Sequence, residues 1–187
     1  MSSDQTFPVL EADSSENARE PVASEAEGTG IGLGAEEAER TRRLAMDTAV
    51  RMLSLREHSR TELRQKLEKK GYEQDLIEQV LVKLQDLDLQ SDERFLDSFV
   101  RGRLNKGHGP IRIRHDLAQK GIAEFLVEQV LTQEAEFWLD HAERARSKRF
   151  GENKPKGDGK GWNAQARFLA QRGFPSDLIY RVLGSRY

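Results

Sequence analysis

The chain of 187 residues contains no cysteine, which excludes disulfides, thiolate metal sites and cysteine nucleophiles and argues against a stapled secreted fold. No apolar run approaches the roughly 18 residues of a membrane-spanning helix, and the N-terminus lacks the basic-then-apolar order of a secretory signal. A cytoplasmic protein without membrane contact is expected. Nor does any stretch alternate apolar and polar residues long enough to argue a strand, which removes sheet-based catalytic scaffolds. With 33% charged residues against 36% hydrophobic, the chain is too polar for a thick core, but it suits helices that each bury one stripe.

Signs of catalysis are also missing. His58, His108, His115 and His141 fall in different expected elements without metal-ligand spacing. The run Gly157-Asp-Gly-Lys-Gly161 lacks the spacing of a phosphate loop, and no strand precedes it. No catalytic residue, metal site or cofactor is expected, and the chain reads as a non-enzyme.

What is present begins with a charge asymmetry. The net charge of −2 hides an N-terminal segment, residues 1–40, with ten acidic and two basic side chains, and a remainder with 28 basic against 22 acidic. Residues 1–35 are rich in Ser, Glu, Gly and Ala, too polar to offset their ordering entropy, and read as a disordered acidic leader.

The remainder is organised by an internal repeat. Gly71-Tyr-Glu-Gln-Asp-Leu-Ile-Glu-Gln-Val-Leu81 recurs as Gly121-Ile-Ala-Glu-Phe-Leu-Val-Glu-Gln-Val-Leu131 and again as Gly173-Phe-Pro-Ser-Asp-Leu-Ile-Tyr-Arg-Val-Leu183. Each copy carries apolar residues at helical spacing, such as Leu76, Ile77, Val80 and Leu81. A shorter helix ends at each glycine, where a left-handed residue can close it, and Lys70, Lys120 or Arg172 complements the negative end of its dipole. Ser59-Arg-Thr-Glu62 reads as a capping box, Pro110 suits a first helical position, and Glu62 and Lys66 suit an intrahelical pair. Longer helices precede, at about 36–56, 92–105 and 133–150. The fold class is therefore all-α, an elongated curved array of three tandem three-helix repeats over 36–90, 91–132 and 133–187. The third repeat carries an extended basic Gly/Lys loop at 151–161, expected to be solvated and mobile. Phe95, Phe99, Phe137, Trp138, Phe168 and Phe174 fall on core stripes, whereas Trp162, beside the loop, is left undecided.

Basic residues recur at comparable places in successive repeats. The candidates for contact with a phosphate backbone or another repeating polymer are Arg60, Arg64, Lys66, Lys70, Arg101, Arg103, Lys106, Arg112, Arg114, Lys120, Arg144 and Lys148; Arg146 and Arg149 belong to the same run in the third repeat. A repeated charge makes a stripe that can follow a phosphate backbone, although a net of only +6 over the body predicts weak, sequence-independent DNA binding.

Three stretches resemble the RecX family of recombinase regulators: Arg56-Glu-His-Ser-Arg-Thr-Glu-Leu-Arg-Gln-Lys-Leu67, Asp92-Glu-Arg-Phe-Leu-Asp-Ser-Phe-Val-Arg-Gly-Arg-Leu104, and Lys106-Gly-His-Gly-Pro-Ile-Arg-Ile-Arg-His-Asp-Leu-Ala-Gln-Lys-Gly-Ile122. The resemblance covers about residues 44–187. It implies a protein without catalytic residues that binds in the groove of a RecA filament, blocks its extension, lowers its ATPase and strand-exchange activities, and also binds single- and double-stranded DNA; a monomer is expected. On that basis Arg64, Arg103, Arg112 and Arg114 are expected to face the filament or its phosphates. The alternative is a DNA-binding architectural or transcriptional module, suggested by helical hairpins that resemble helix-turn-helix pieces.

Overall fold

The computed structural model describes residues 30–155 and 159–184. Most of the expected leader, residues 1–29, lies outside the described residues, as do 156–158 of the loop and 185–187. The described residues form nine α-helices and no strand. They are α1 (Gly30–Leu53), α2 (Arg60–Glu68), α3 (Gln74–Asp86), α4 (Asp92–Asn105), α5 (Pro110–Ala118), α6 (Glu124–Leu131), α7 (Ala135–Phe150), α8 (Lys160–Arg172) and α9 (Ser176–Leu183). The helix α1 starts at Gly30, earlier than the expected helix start near residue 36. Once the Ala- and Glu-rich turn after Gly34 is helical, adding residues at its N-terminal end costs far less than nucleation did.

Local chemistry sets the helix ends. The Ser59 hydroxyl accepts the Glu62 amide at 3.1 Å, Ser91 does the same for Arg94 at 3.2 Å, and Pro110 opens α5 after Gly109. At the far ends Gly71, Gly121 and Gly173 take φ of 87°, 69° and 88°. The next amides, of Tyr72, Ile122 and Phe174, then turn back to the carbonyls of Leu67, Leu117 and Leu169.

Two apolar clusters result. Ala45, Ala49, Leu63, Leu67, Ile77, Val80, Leu81 and Leu84 form the core of the first repeat alone. A second cluster runs without a break from Phe95 to Leu183, so the second and third repeats share one core. Phe95, Trp138 and Phe174 are buried in it, and Phe99, Phe137 and Phe168 pack against it, as their helical spacing implied. Trp162 is also core, with its indole N–H donating to the Gly184 carbonyl at 3.2 Å.

The middle helices of the repeats meet end to end. At the junction of the second and third repeats, the Gly109 amide donates to the Arg172 carbonyl at 2.8 Å and the Ile111 amide to the Gly173 carbonyl at 3.1 Å. The orphan amides at the start of α5 thereby satisfy carbonyls at the end of α8, and the two helix dipoles line up head to tail. The approach is so close that a Cβ on Gly109 would sit 2.5 Å from the Gly173 carbonyl oxygen. At the junction of the first and second repeats, the Ser59 hydroxyl donates to the Lys120 carbonyl at 2.8 Å, and a side chain on Gly121 would meet Thr61. This second junction is polar: Glu62 lies 2.5 Å from Lys120 Nζ and 3.0 Å from Arg56 Nη1, while Asp92 accepts from the Arg60 amide and from Gln90. The expected Glu62 to Lys66 pair does not form, because both carboxylate oxygens of Glu62 are drawn to these cations.

The described part of the expected mobile loop is tied down instead. Arg146 is buried, and its guanidinium donates to the carbonyls of Glu152 and Asn153 at 3.2 and 3.3 Å, while Lys154 reaches Glu143 at 2.8 Å. A buried cation requires acceptors, and the chain after α7 supplies them.

Because Gly109 has an ordinary φ of −92°, replacing it tests the junction and not backbone strain. Gly109→Ala should lower stability by about 1–3 kcal/mol through overpacking. Gly159→Ala, also at a helix N-cap but at φ −67° with open space around it, should cost only the modest N-cap preference for glycine over alanine, under about 1 kcal/mol. Urea denaturation of the two variants checks the contrast.

Candidate functional site

The structure sorts the candidate cations by whether a carboxylate already holds them. Arg60 and Arg64 both bind Glu78, at 2.7 and 2.6 Å. Hydrogen bonds from Arg64 and then Arg60 hold the Glu78 carboxyl at about 2. Arg103 and Arg112 converge on the buried Asp116 at 3.0 and 3.1 Å; the Arg103 contact is an ion pair without hydrogen-bond alignment, and its guanidinium lies 4.6 Å from the centre of the Phe99 ring. Arg114 bridges Glu124, at 2.7 Å, and Glu128. Lys120 belongs to the Glu62 junction, where burial pushes the carboxyl up but hydrogen bonds from Arg56 and Lys120 outweigh it and hold it below its ordinary value.

Lys66 is held differently, by a buried histidine. The His58 Nδ1 faces the Arg56 carbonyl at 3.0 Å and must carry the proton there, so Nε2 accepts from Lys66 Nζ at 2.9 Å. Burial, aided by Arg56 and Lys66, lowers the His58 pKa and keeps the ring neutral. Arg64, Arg103, Arg112 and Arg114, expected to face a filament, are thus engaged within the fold, and Arg146 is buried.

The remaining candidates are Lys70, Arg101, Lys106, Arg144 and Lys148, all exposed. Arg144 has only a long 3.7 Å approach to Asp140. Three of the five, Lys106, Arg144 and Lys148, line a groove of about 430 Å³ between the end of α4 and the faces of α7 and α8. Arg149 and Arg172 join them, with His141 and Phe168 in the wall, and no carboxylate is among the lining residues. Arg172 is fixed there: its Nη1 donates to the Lys106 carbonyl at 2.6 Å and its guanidinium lies 5.1 Å from the centre of the Phe168 ring. Lys70 and Arg101 do not line this groove.

Sequence reading left Arg172 as a helix-end cation and Arg149 outside the candidate set. The available signal was the run from Arg144 to Arg149, in which no acidic residue follows Glu143 before Glu152. The described residues contain no cluster of His, Cys, Asp or Glu able to hold a metal, and no helix among them is long and apolar enough to cross a membrane.

A carboxyl whose pKa is depressed on folding contributes stability that is complete above its ordinary pKa of 4.5 and is lost as pH falls toward its folded value. Stability should therefore drop between about pH 4.5 and pH 2. Glu62→Gln with Glu78→Gln should flatten that profile and lower stability at pH 7, as read from thermal midpoints across pH.

Comparison with known proteins places these features in a family. Models of the first, second and third three-helix domains of RecX match residues 45–84, 91–131 and 136–183. The chain is 41% identical over 145 residues to the regulatory protein RecX of Pseudomonas putida (strain W619), covering 78% of this chain and 90% of that one. It is 39% identical over 141 residues to that of Legionella pneumophila (strain Corby), covering 74% and 91%. A crystal structure of RecX from Lactobacillus salivarius has the same fold, with a TM-score of 0.64 at 23% identity over 81% of this chain and 97% of that one. A second crystal structure, of a regulatory protein RecX, gives 0.68 at 26% identity over 81% and 76%. With three tandem three-helix repeats matched in order and about two-fifths identity over most of its length, the chain belongs to the RecX family of regulatory proteins.

Proposed function

We propose that this protein regulates a RecA-type recombinase filament assembled on DNA, lowering its ATPase, its extension and its strand exchange. The observation that carries the proposal is the ordered match of all three repeats to one family of regulatory proteins. The surface supports it: Lys106, Arg144, Lys148, Arg149 and Arg172 line one groove that contains no carboxylate. The protein acts as a cytoplasmic monomer, without catalysis, through the repeats assigned above to 36–90, 91–132 and 133–187. Several repeats in one chain can engage successive subunits of a polymer, so a filament is favoured over a free recombinase subunit by effective concentration.

The bridged arginines narrow the surface available for contact. Arg112 and Arg114 hold Asp116, Glu124 and Glu128, so reversing their charge should destabilise the second repeat before it reports on any partner.

Titrating the protein into cognate recombinase turning over ATP on single-stranded DNA tests the proposal. Loss of ATPase at substoichiometric ratios is the expected result. Undiminished ATPase alongside measurable DNA binding would contradict it and favour an architectural DNA-binding module.

A further inference from the structure

The first repeat is joined to the other two by means that the rest of the fold does not use. The second and third repeats share one apolar core and a backbone contact too close for a Cβ on Gly109, which together fix them against each other. The first repeat has its own core, and no buried apolar residue belongs to both clusters. What links the two is polar: Ser59 and Glu62 meet the Lys120 carbonyl and ammonium, and Asp92 accepts from the Arg60 amide at 2.8 Å. A depression of about 330 Å³ stays open between Arg56, Glu57 and Glu62 on one side and Phe95, Phe99 and Gly102 on the other.

The covalent connection has a matching character. Between α3 and α4 the chain turns through Asp88, whose φ of 52° is the one positive value at a non-glycine residue among the described residues. Arg94 clamps this turn. Its Nη1 and Nη2 donate to the Asp88 carboxylate at 2.6 Å and to the Asp88 carbonyl at 2.8 Å, while Nε donates to Glu57 of the first repeat at 3.2 Å. Gln90 is buried in the same place and donates to Asp92 at 2.8 Å and to the His58 carbonyl at 3.3 Å. Its own Oε1 is buried with no donor facing it, a cost that the closed arrangement bears and an opened one relieves.

We infer that this junction is a latched hinge: the first repeat swings as an intact unit about residues 87–91, held closed by Arg94, Lys120 and Gln90, while the second and third repeats move as one body. Hinges are short segments between elements that absorb a change of backbone angle, which fits a connection already turning through an unusual φ. The latch consists of partly exposed ion pairs and hydrogen bonds, each of small net value and weakened by salt. Opening leaves both apolar cores intact and changes the angle that the first repeat presents to a partner touching more than one repeat. The hinge belongs to the chain alone and does not depend on the recombinase proposed above.

The absence of cysteine lets two spin labels read the hinge in the full chain. Labels on Lys69→Cys and Ala164→Cys span it, whereas labels on Ala118→Cys and Ala164→Cys lie within the second and third repeats, and all three positions are exposed. Raising salt from about 0.1 to about 1 M shortens the screening length from about 10 to about 3 Å. The distance distribution of the first pair should then broaden, and that of the second should not. Arg94→Gln with Lys120→Gln leaves Glu62 its partner Arg56 and should broaden the first pair at low salt, raising the open fraction up to about fivefold for each ion pair lost across the junction. Helicity and amide protection at Leu63, Leu67 and Leu81 should match the unaltered chain, because the first core stays closed.

A narrow first-pair distribution that responds to neither salt nor substitution would overturn the hinge, as would equal broadening of both pairs. Broadening accompanied by lost protection in the first core would mean that the repeat unfolds instead of swinging, and would overturn it as well.

Discussion

The structure depends on a backbone contact: the carbonyl end of one short helix meets the amide start of the corresponding helix in the preceding repeat. Between the third and second repeats this contact is made by Arg172 and Gly173 on one side and Gly109 and Ile111 on the other, with no room for a Cβ on Gly109. It satisfies groups that every helix otherwise leaves open at its ends and aligns two dipoles. It also places Arg172 against the carbonyl of Lys106, which brings α8 beside the end of α4 and creates the groove. At Gly71, the corresponding glycine of the first repeat, an added Cβ would meet nothing within 4 Å among the described residues.

The two junctions are built from different materials. The second and third repeats share a continuous apolar core, whereas the first has its own and meets the second through Ser59, Glu62, Lys120 and Arg56. Apolar burial is insensitive to salt, while a partly exposed ion-pair network is screened by it. The groove is thus carried by the repeats with the more robust junction, and the first repeat is attached through the more titratable one.

Much of this was legible in the sequence because the signals were local. The glycine after a Lys or Arg, the serine or Gly-Pro at helix starts and the spacing of Leu, Ile and Val located the repeated hairpins within a few residues. The fate of the cations was not legible, since their partners lie far along the chain: Glu78 is 14 residues from Arg64, and Glu62 is 58 from Lys120. A recurring basic position therefore predicted free charge, which carboxylates outside the local helix turn neutralise at Arg60, Arg64, Arg103, Arg114 and Lys120. The groove was hidden for the same reason, because it draws on the end of α4, the last turns of α7 and the end of α8, which only the junction brings together. Arg146, one residue class among several in a basic run, turned inward because the chain after α7 offers it carbonyls.

Amide hydrogen exchange at Gly109 and Ile111 tests the central claim most directly. Both lie at a helix start, where amides ordinarily face solvent and exchange fast, yet here they donate to the Arg172 and Gly173 carbonyls. If the end-to-end junction holds the second and third repeats together, the two amides should be protected to the same degree as the interior of α5, opening only when both repeats unfold. Fast exchange at Gly109 and Ile111 beside a protected α5 would mean that the helices do not stack in solution, and the groove that depends on their stacking would go with them.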